Sequence, residues 1–441
     1  MLKPKKGLIP LLALLYIVAL SCFIWGAMAV KYNLFPWKQL TAVYGELHAY
    51  LSFDDGPEKS TKEKVMFHHQ ESRSKYDFGG LKVRDKEFHD DGYLLISGFN
   101  KKHNQVVVEL FSIAENRAIH TWVPPVSEIL ERTPNFKKGS NTLKTYRVLH
   151  PLLLEDGGLV FTSGAGPMVR INACGDIVWV LEHRFHHSIE MDHSGNIVTC
   201  SIIEGDGSGT VLPSRDDGVA VVSPEGEIIN EYSVTKLLLE NGHRGLIYGV
   251  GRFEKDRIHL NDAQPILRDT KDAKIGDILL SIRHLSSVAL IEPHTGLIKW
   301  LKTGPWLNQH DINLLPDGQY SIFGNDIVRG VAGTGSQLVE EGKSDIYIYD
   351  PITDIVSQPY SSVMTNEKIV SKTQGRSKIL QNGDVYIEQT DTVRILRISK
   401  DKVRWEYVNA VSEGTVGALH WSRYISSNEI DLNRLENLTC N

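Results

Sequence analysis

From Lys82 to Ile425 the apolar residues come in short runs, separated by clusters of Gly, Asp, Asn and Ser. Runs of that length between turn residues predict β-strands rather than helices. They group into six units of about 35 to 50 residues. Each unit holds a turn glycine followed by an apolar strand, a second strand ending near Ser, Glu or Asp, and a third that often carries tryptophan. Residues 158–163, 168–171 and 177–181 form one such unit, and 277–282, 287–292 and 297–301 another. A unit of this size cannot bury both faces alone and must stack on its neighbours around a ring. The pattern therefore predicts an all-β, six-bladed β-propeller over residues 81–441, with a β-sandwich as the less regular alternative. Residues 416–425 are expected to supply the strand that closes the ring, and Ser233–Glu240 to make two helical turns.

The N-terminus follows a different rule. Gly7 to Val30 carries no charge, and Lys3, Lys5 and Lys6 precede it. As a helix this run is long enough to span a hydrocarbon core of ~30 Å, and the leading lysines favour an N-inside orientation. The expectation is a transmembrane helix or uncleaved signal anchor over residues 1–30, then a polar stalk or irregular lead-in over 31–80. The propeller would then lie outside the cytoplasm, on the periplasmic, extracellular or lumenal side. The alternative is secretion after signal cleavage near Ala29, where Ala27-Met28-Ala29 has small residues at the required spacing.

Composition removes some partners. Charged residues make up 23% of the 441 and the net charge is −6, so the basic excess of a nucleic-acid surface is missing. Four cysteines without a Cys-x-x-Cys pair exclude a disulfide scaffold. They leave room for a single disulfide such as Cys174 with Cys200.

Histidine recurs at one place in the repeat. His310 heads a stretch ending at the turn glycine Gly318, and His150 and His187 stand in the same frame before Gly158 and Gly195. His259 takes that position by unit order. Any one of them reads as a hydrogen-bonded structural histidine; four at an equivalent position predict imidazoles converging on one axial pocket. Strand alternation sends neighbours to opposite faces, so His186 is expected to point away from His187. Arg283, after the inner strand of the fourth unit, offers a fixed cation, with His284 facing away. Clustered histidines suit a transition metal or nucleophilic and acid–base chemistry on an anion. Asp262 and Asp311 lie beside the repeat position rather than at it, and an arginine repels a divalent cation, which favours the anion.

At these residues the chain resembles the bacterial arylsulfotransferase family, the nucleotide-independent type that forms a sulfohistidine. The likeness rests on Phe185-His186-His187-Ser188-Ile189, His259-Leu260-Asn261-Asp262, Leu280-Ser281-Ile282-Arg283-His284, the stretch Ala289 to Trp300, and Gln309-His310. The extra N-terminal β-domain usual in that family has no counterpart, since 31–80 is too polar. The resemblance implies a six-bladed propeller, free of cofactor and metal, that moves a sulfuryl group from an aryl sulfate donor to a phenolic acceptor by a ping-pong route. It makes His310 the nucleophile, sets His187, His259 and Arg283 around the sulfuryl oxygens, and puts Asn261 and Gln309 among the substrate-binding residues. His150 shares the repeat frame but not the motif and takes a secondary substrate-binding place. Two other functions fit a propeller with this pocket: a non-catalytic, membrane-anchored scaffold or sensor, and a metal-dependent hydrolase.

Overall fold

The turn glycines Gly157, Gly195 and Gly318 each donate their N–H to the carbonyl three residues back. In Asp192-His193-Ser194-Gly195 the Asp192 carboxylate accepts the backbone N–H groups of Ser194 and Asn196, both at 2.8 Å. Gly195 then takes a φ of +83°, which only glycine adopts freely. Asp156 and Asp317, each directly before its turn glycine, instead accept the single N–H just after it, from Gly158 and Gln319.

The computed structural model describes residues 8–32, 78–136, 146–203, 215–250, 256–331, 335–339, 343–412, 415–430, 435 and 440. The chain divides into two units, Met1–Ser60 and Thr61–Asn441. In the first, Leu8–Tyr32 is helical, with side chains described from Ala13 to Ala29. Among the described residues no helix is long and apolar enough to cross a membrane. The expected stalk falls outside the described residues except at its two ends.

The second unit is all-β and propeller-like. Among the described residues it has four sheets of four or five strands, one of seven and two of two. In one sheet Leu260–Pro265, Ile278–Ile282, Ser287–Glu292 and Leu297–Thr303 follow each other as an antiparallel meander. The seven-stranded sheet passes through the 15-residue strand Ile177–Met191. The first half of that strand pairs with Gly166–Ile171 and its second half with Ile197–Ile203. As expected, the C-terminal stretch closes the structure: Arg423–Ile425 pairs with Tyr93–Leu95.

One expectation needs correcting. The strand after the turn glycine, taken from sequence as innermost, is second in its sheet. The stretch between histidine and turn is itself the leading strand, as in Leu149–Leu153, Leu260–Pro265 and Asp311–Leu314. Its mixed polar character hid it: Leu260-Asn261-Asp262 and Asp311-Ile312-Asn313 do not read as apolar runs. Arg283 thus follows a second strand.

Polar side chains on the leading strands staple one sheet to the next. Ser188 Oγ accepts the Ala263 N–H at 2.9 Å, Asp262 that of Ile312 at 3.0 Å, and Asp311 that of Ser377 at 2.9 Å. The apolar core lies between consecutive sheets. Val160, Phe185 and Ala220 make one cluster, Trp306, Ile312 and Tyr320 another, and Leu94, Tyr386 and Trp405 join the last sheet to the first. Tryptophans of the outermost strands reach across: Trp122 Nε1 donates to Gly157 O, and Trp179 Nε1 to Pro224 O, both at 3.0 Å.

The disulfide joins Cys174 to Cys440, not to Cys200. Cys200 is buried in the strand Ile197–Ile203, with its sulfur 3.6 Å from Ser188 Oγ, inside a core that the exposed turn of Cys174 does not reach. The expected helix forms as Val234–Glu240, capped by Ser233 Oγ accepting from Lys236 N at 3.0 Å. Short helices at Val126–Arg132, Arg244–Tyr248 and Ser361–Asn366 carry too few turns for a visible periodicity.

Candidate active site

Three of the four histidines sit where the leading strand bulges. His150, His187 and His259 have φ of +48°, +57° and +49°, and the pairing register shifts beside each of them. A bulge re-aims side chains and breaks strand alternation. The consequence is a cluster: the His187 ring centroid is 5.3 Å from that of His259, 6.1 Å from that of His310 and 5.6 Å from that of Trp421. His150 stacks on Trp421 at 4.7 Å. The histidines predicted to converge therefore do so, with Trp421 between His150 and His187.

The bulge at His187 and the turn after Ile282 overturn two sequence expectations. His186 does not turn away; its Nδ1 lies 2.7 Å from His187 Nδ1. His284, expected to face outward, stacks on His259 at 4.4 Å and lies 3.4 Å from Arg283 Nη1 through its Nε2. Arg283 itself is buried, in a 3₁₀ turn whose backbone N–H donates to His259 O at 3.2 Å.

Hydrogen bonds fix the protons of several rings. The Asn325 amide donates to Ser371 O at 2.7 Å and Gln374 O at 2.8 Å, so its oxygen must face His310, where Nδ1 approaches to 2.6 Å. His310 therefore carries its proton on Nδ1. Its Nε2 is left as the basic nitrogen and accepts from Gln374 N–H at 3.0 Å. Likewise His259 Nδ1 donates to Asp256 at 2.5 Å, and His284 Nδ1 to Asp256 O at 2.6 Å.

Burial sets the charge state. It pushes His310 well below the ordinary imidazole range, and the Arg283 charge adds to the effect. Burial with the neighbouring His186, His259 and His310 does the same to His187, and burial with Arg376 and Arg423 to His150. Burial also lowers His259, against the pull of Asp256. Burial works against ionisation of Asp256 too, but the contact with His259 and the charge of Arg215 hold its carboxyl well down. The pocket thus presents neutral imidazoles beside fixed guanidinium charge.

Asp256, His259 and His284 bring potential metal-ligand atoms within 4.8 Å of one another. Their ring protons are already committed to Asp256, and Arg215 comes within 3.5 Å of the same carboxylate. The set orients His259 beside two guanidinium groups, which is poor ground for a divalent cation.

Asn261 and Gln309, expected near substrate, are buried, and their amides brace the backbone. Asn261 donates to Gln309 O at 3.1 Å and Gln309 to Ser287 O at 2.7 Å, which fixes the turn before His310. Sequence reasoning missed Asn325, Gln374, Asp256 and Trp421. Two had a signal. Asn325 follows Gly318 by the same spacing that separates Arg283 from Gly276. Trp421 precedes the closing strand, with the same positive φ as the histidines.

No curated protein matches the chain. Solved structures similar to it include a protein of unknown function from Bacteroides caccae, with 12% identity, covering 76% of this chain and 99% of that one, at a TM-score of 0.48. Another is virginiamycin B lyase from Staphylococcus aureus, with 12% identity, covering 78% and 98%, at a TM-score of 0.38. The sequence profile of the family described as Arylsulfotransferase (ASST) matches residues 150–410, which takes in His150, His187, His259, Arg283, His310, Asn325 and Gln374. The chain belongs to the arylsulfotransferase family.

Proposed function

We propose that the protein transfers a sulfuryl group from a phenolic sulfate ester to a phenol through a sulfohistidine at His310. The observation that carries this reading is the state of His310: buried, neutral, its proton held on Nδ1 by Asn325, and its basic Nε2 turned from Asn325. In the first half-reaction Nε2 bonds to sulfur, the S–O bond to the aryl group breaks, and the phenolate leaves. A phenolate of pKa near 10 needs little further help. In the second, a phenol oxygen bonds to sulfur, the N–S bond breaks, and a neighbouring imidazole takes the phenol proton. Arg283 offsets charge on the sulfuryl oxygens, with His187 and His259 as further contacts. Attack requires the Gln374 N–H to leave Nε2, so substrate and that loop compete for one lone pair.

Two further readings belong with this one. Counting the seven-stranded sheet as two joined through Ile177–Met191 gives six blades, with one hydrophobic cluster at each junction. The apolar run at 7–30 would anchor the protein, with the propeller outside the cytoplasm; the Cys174–Cys440 bond suits an oxidising compartment.

The test is incubation of the full chain with p-nitrophenyl sulfate and phenol, followed by peptide mass spectrometry. A gain of about 80 mass units on His310, roughly one sulfuryl group, is the expected covalent intermediate, and His310→Asn should abolish both adduct and transfer. Undiminished transfer by that variant would remove His310 as nucleophile. Neither adduct nor transfer in the parent chain would favour the binding scaffold.

A further inference from the structure

A second cavity lies away from the histidine pocket. About 540 Å³ opens at the other end of the leading strands, between Leu152, Lys378 and Ile425. That is the size of a small-molecule site. Two residues that line it carry buried polar atoms without a hydrogen-bond partner among the described residues. Arg376 is 6% exposed, and the unpaired atom is its Nη1. Its Nη2 lies 3.6 Å from a carboxylate oxygen of Glu190. Tyr386 is 1% exposed, and its hydroxyl has no partner either.

The neighbouring charges explain why Arg376 is underserved. Glu190 is committed to Arg423, whose Nη1 reaches both its oxygens at 2.9 Å. Asp311 accepts from Ser377 N–H and from the Asn313 amide. Burial and the nearness of Asp311 push the Asp262 carboxyl well up, toward its neutral form. At the rim, Lys378 pairs with Glu429 at 3.4 Å, and Glu155 also lines the opening. Arg423 also lines the cavity, and Leu152, Ile430 and Leu435 form an apolar side. An unpaired guanidinium nitrogen and phenol hydroxyl, on residues lining a cavity with an apolar side, ask for an acceptor attached to an apolar body.

We propose that this cavity is a second binding site, separate from the histidine pocket, for a compact amphipathic carboxylate. Its carboxylate takes Arg376 Nη1 and the Tyr386 hydroxyl as donors. Its alkyl or aryl body packs on Leu152, Ile430 and Leu435. No sulfuryl transfer is needed for binding, so the site stands or falls independently of His310.

Calorimetric titration of the full chain with 4-butylbenzoate, and separately with the neutral 4-butylbenzamide, tests this. The acid should bind saturably with a Kd below about 1 mM and the amide at least about tenfold more weakly. Tyr386→Phe removes a hydroxyl without a partner, so it should leave the melting temperature unchanged or higher while weakening the acid several-fold. Ile430→Trp should fill the apolar half and weaken the acid by at least about tenfold. His310→Asn should leave the acid's affinity within about twofold. No saturable binding up to about 10 mM, equal affinities for acid and amide, or indifference to both cavity variants would overturn the proposal. Loss of binding in His310→Asn would move the ligand to the histidine pocket and overturn it equally.

Discussion

Asn325 Oδ1 lies 2.6 Å from His310 Nδ1, and both hydrogens of the Asn325 amide are spent on the carbonyls of Ser371 and Gln374. The amide cannot flip without losing two hydrogen bonds, so it dictates which nitrogen of His310 is basic. Asn325→Ala should cut turnover by about 10- to 100-fold, the usual effect of losing a group that orients a reactive histidine, with KM changed less than kcat. Asn325→Asp restores an acceptor but adds a negative charge beside Nδ1–H, which raises the imidazole pKa. Its acid limb in a plot of kcat/KM against pH should therefore move to higher pH than in the parent. An unmoved limb would mean that Asn325 only packs against the ring.

On the proposed function, activity should persist well into mildly acidic solution. Burial and the Arg283 charge lower the His310 pKa, so the neutral imidazole persists above that depressed value and is lost only as the pH falls through it. Measured with an aryl sulfate, kcat/KM should be flat from pH 8 past about 6.5, the ordinary imidazole value, and decline only below. Half-maximal activity at or above that point would contradict the assigned charge state.

How much of this was legible in the sequence depended on whether one local rule decided the outcome. Turn glycines such as Gly195 and Gly318, and the apolar strands after them, are fixed by φ and burial, and they were read in place. The leading strands were not, because Asp262 and Asp311 put carboxylates where an apolar alternation would otherwise show. Convergence of the histidines followed from repeat position. The failures at His186 and His284 share one cause: alternation was assumed across positions where the backbone bulges or turns. Asn325 was readable only by treating Arg283 as a repeat position rather than as a lone cation.

The disulfide gives a clean discrimination, since Cys174–Cys440 ties together residues 266 apart. Cys440→Ser should lower stability by about 2–5 kcal/mol, seen as a lower melting temperature that reductant no longer shifts. Cys200→Ser, which removes a buried thiol outside the bond, should keep the parent's response to reductant. Peptide mapping without reduction should recover the Cys174 and Cys440 peptides joined. Recovery of Cys174 joined to Cys200 would contradict the structure.

Ring closure should be the most sensitive place for a core mutation. Trp405, on the strand Val403–Val408 that Gly80–Val83 covers at the edge of its sheet, is 1% exposed, and its Nε1 donates to Asp90 at 2.6 Å. Arg397 and Tyr424 bind the same carboxylate at 2.7 and 2.8 Å, so Asp90, ahead of the strand Tyr93–Asn100, gathers three donors from the C-terminal part of the chain. Trp405→Phe keeps most of the packing and loses one of these bonds to a carboxylate, at a cost of about 1.5–3 kcal/mol. Trp405→Ala also opens a cavity at the seam and should cost about 3–5 kcal/mol. Urea unfolding of the two variants should show this order. Equal losses would mean that the hydrogen bond, not the indole's bulk, holds the last sheet against the first.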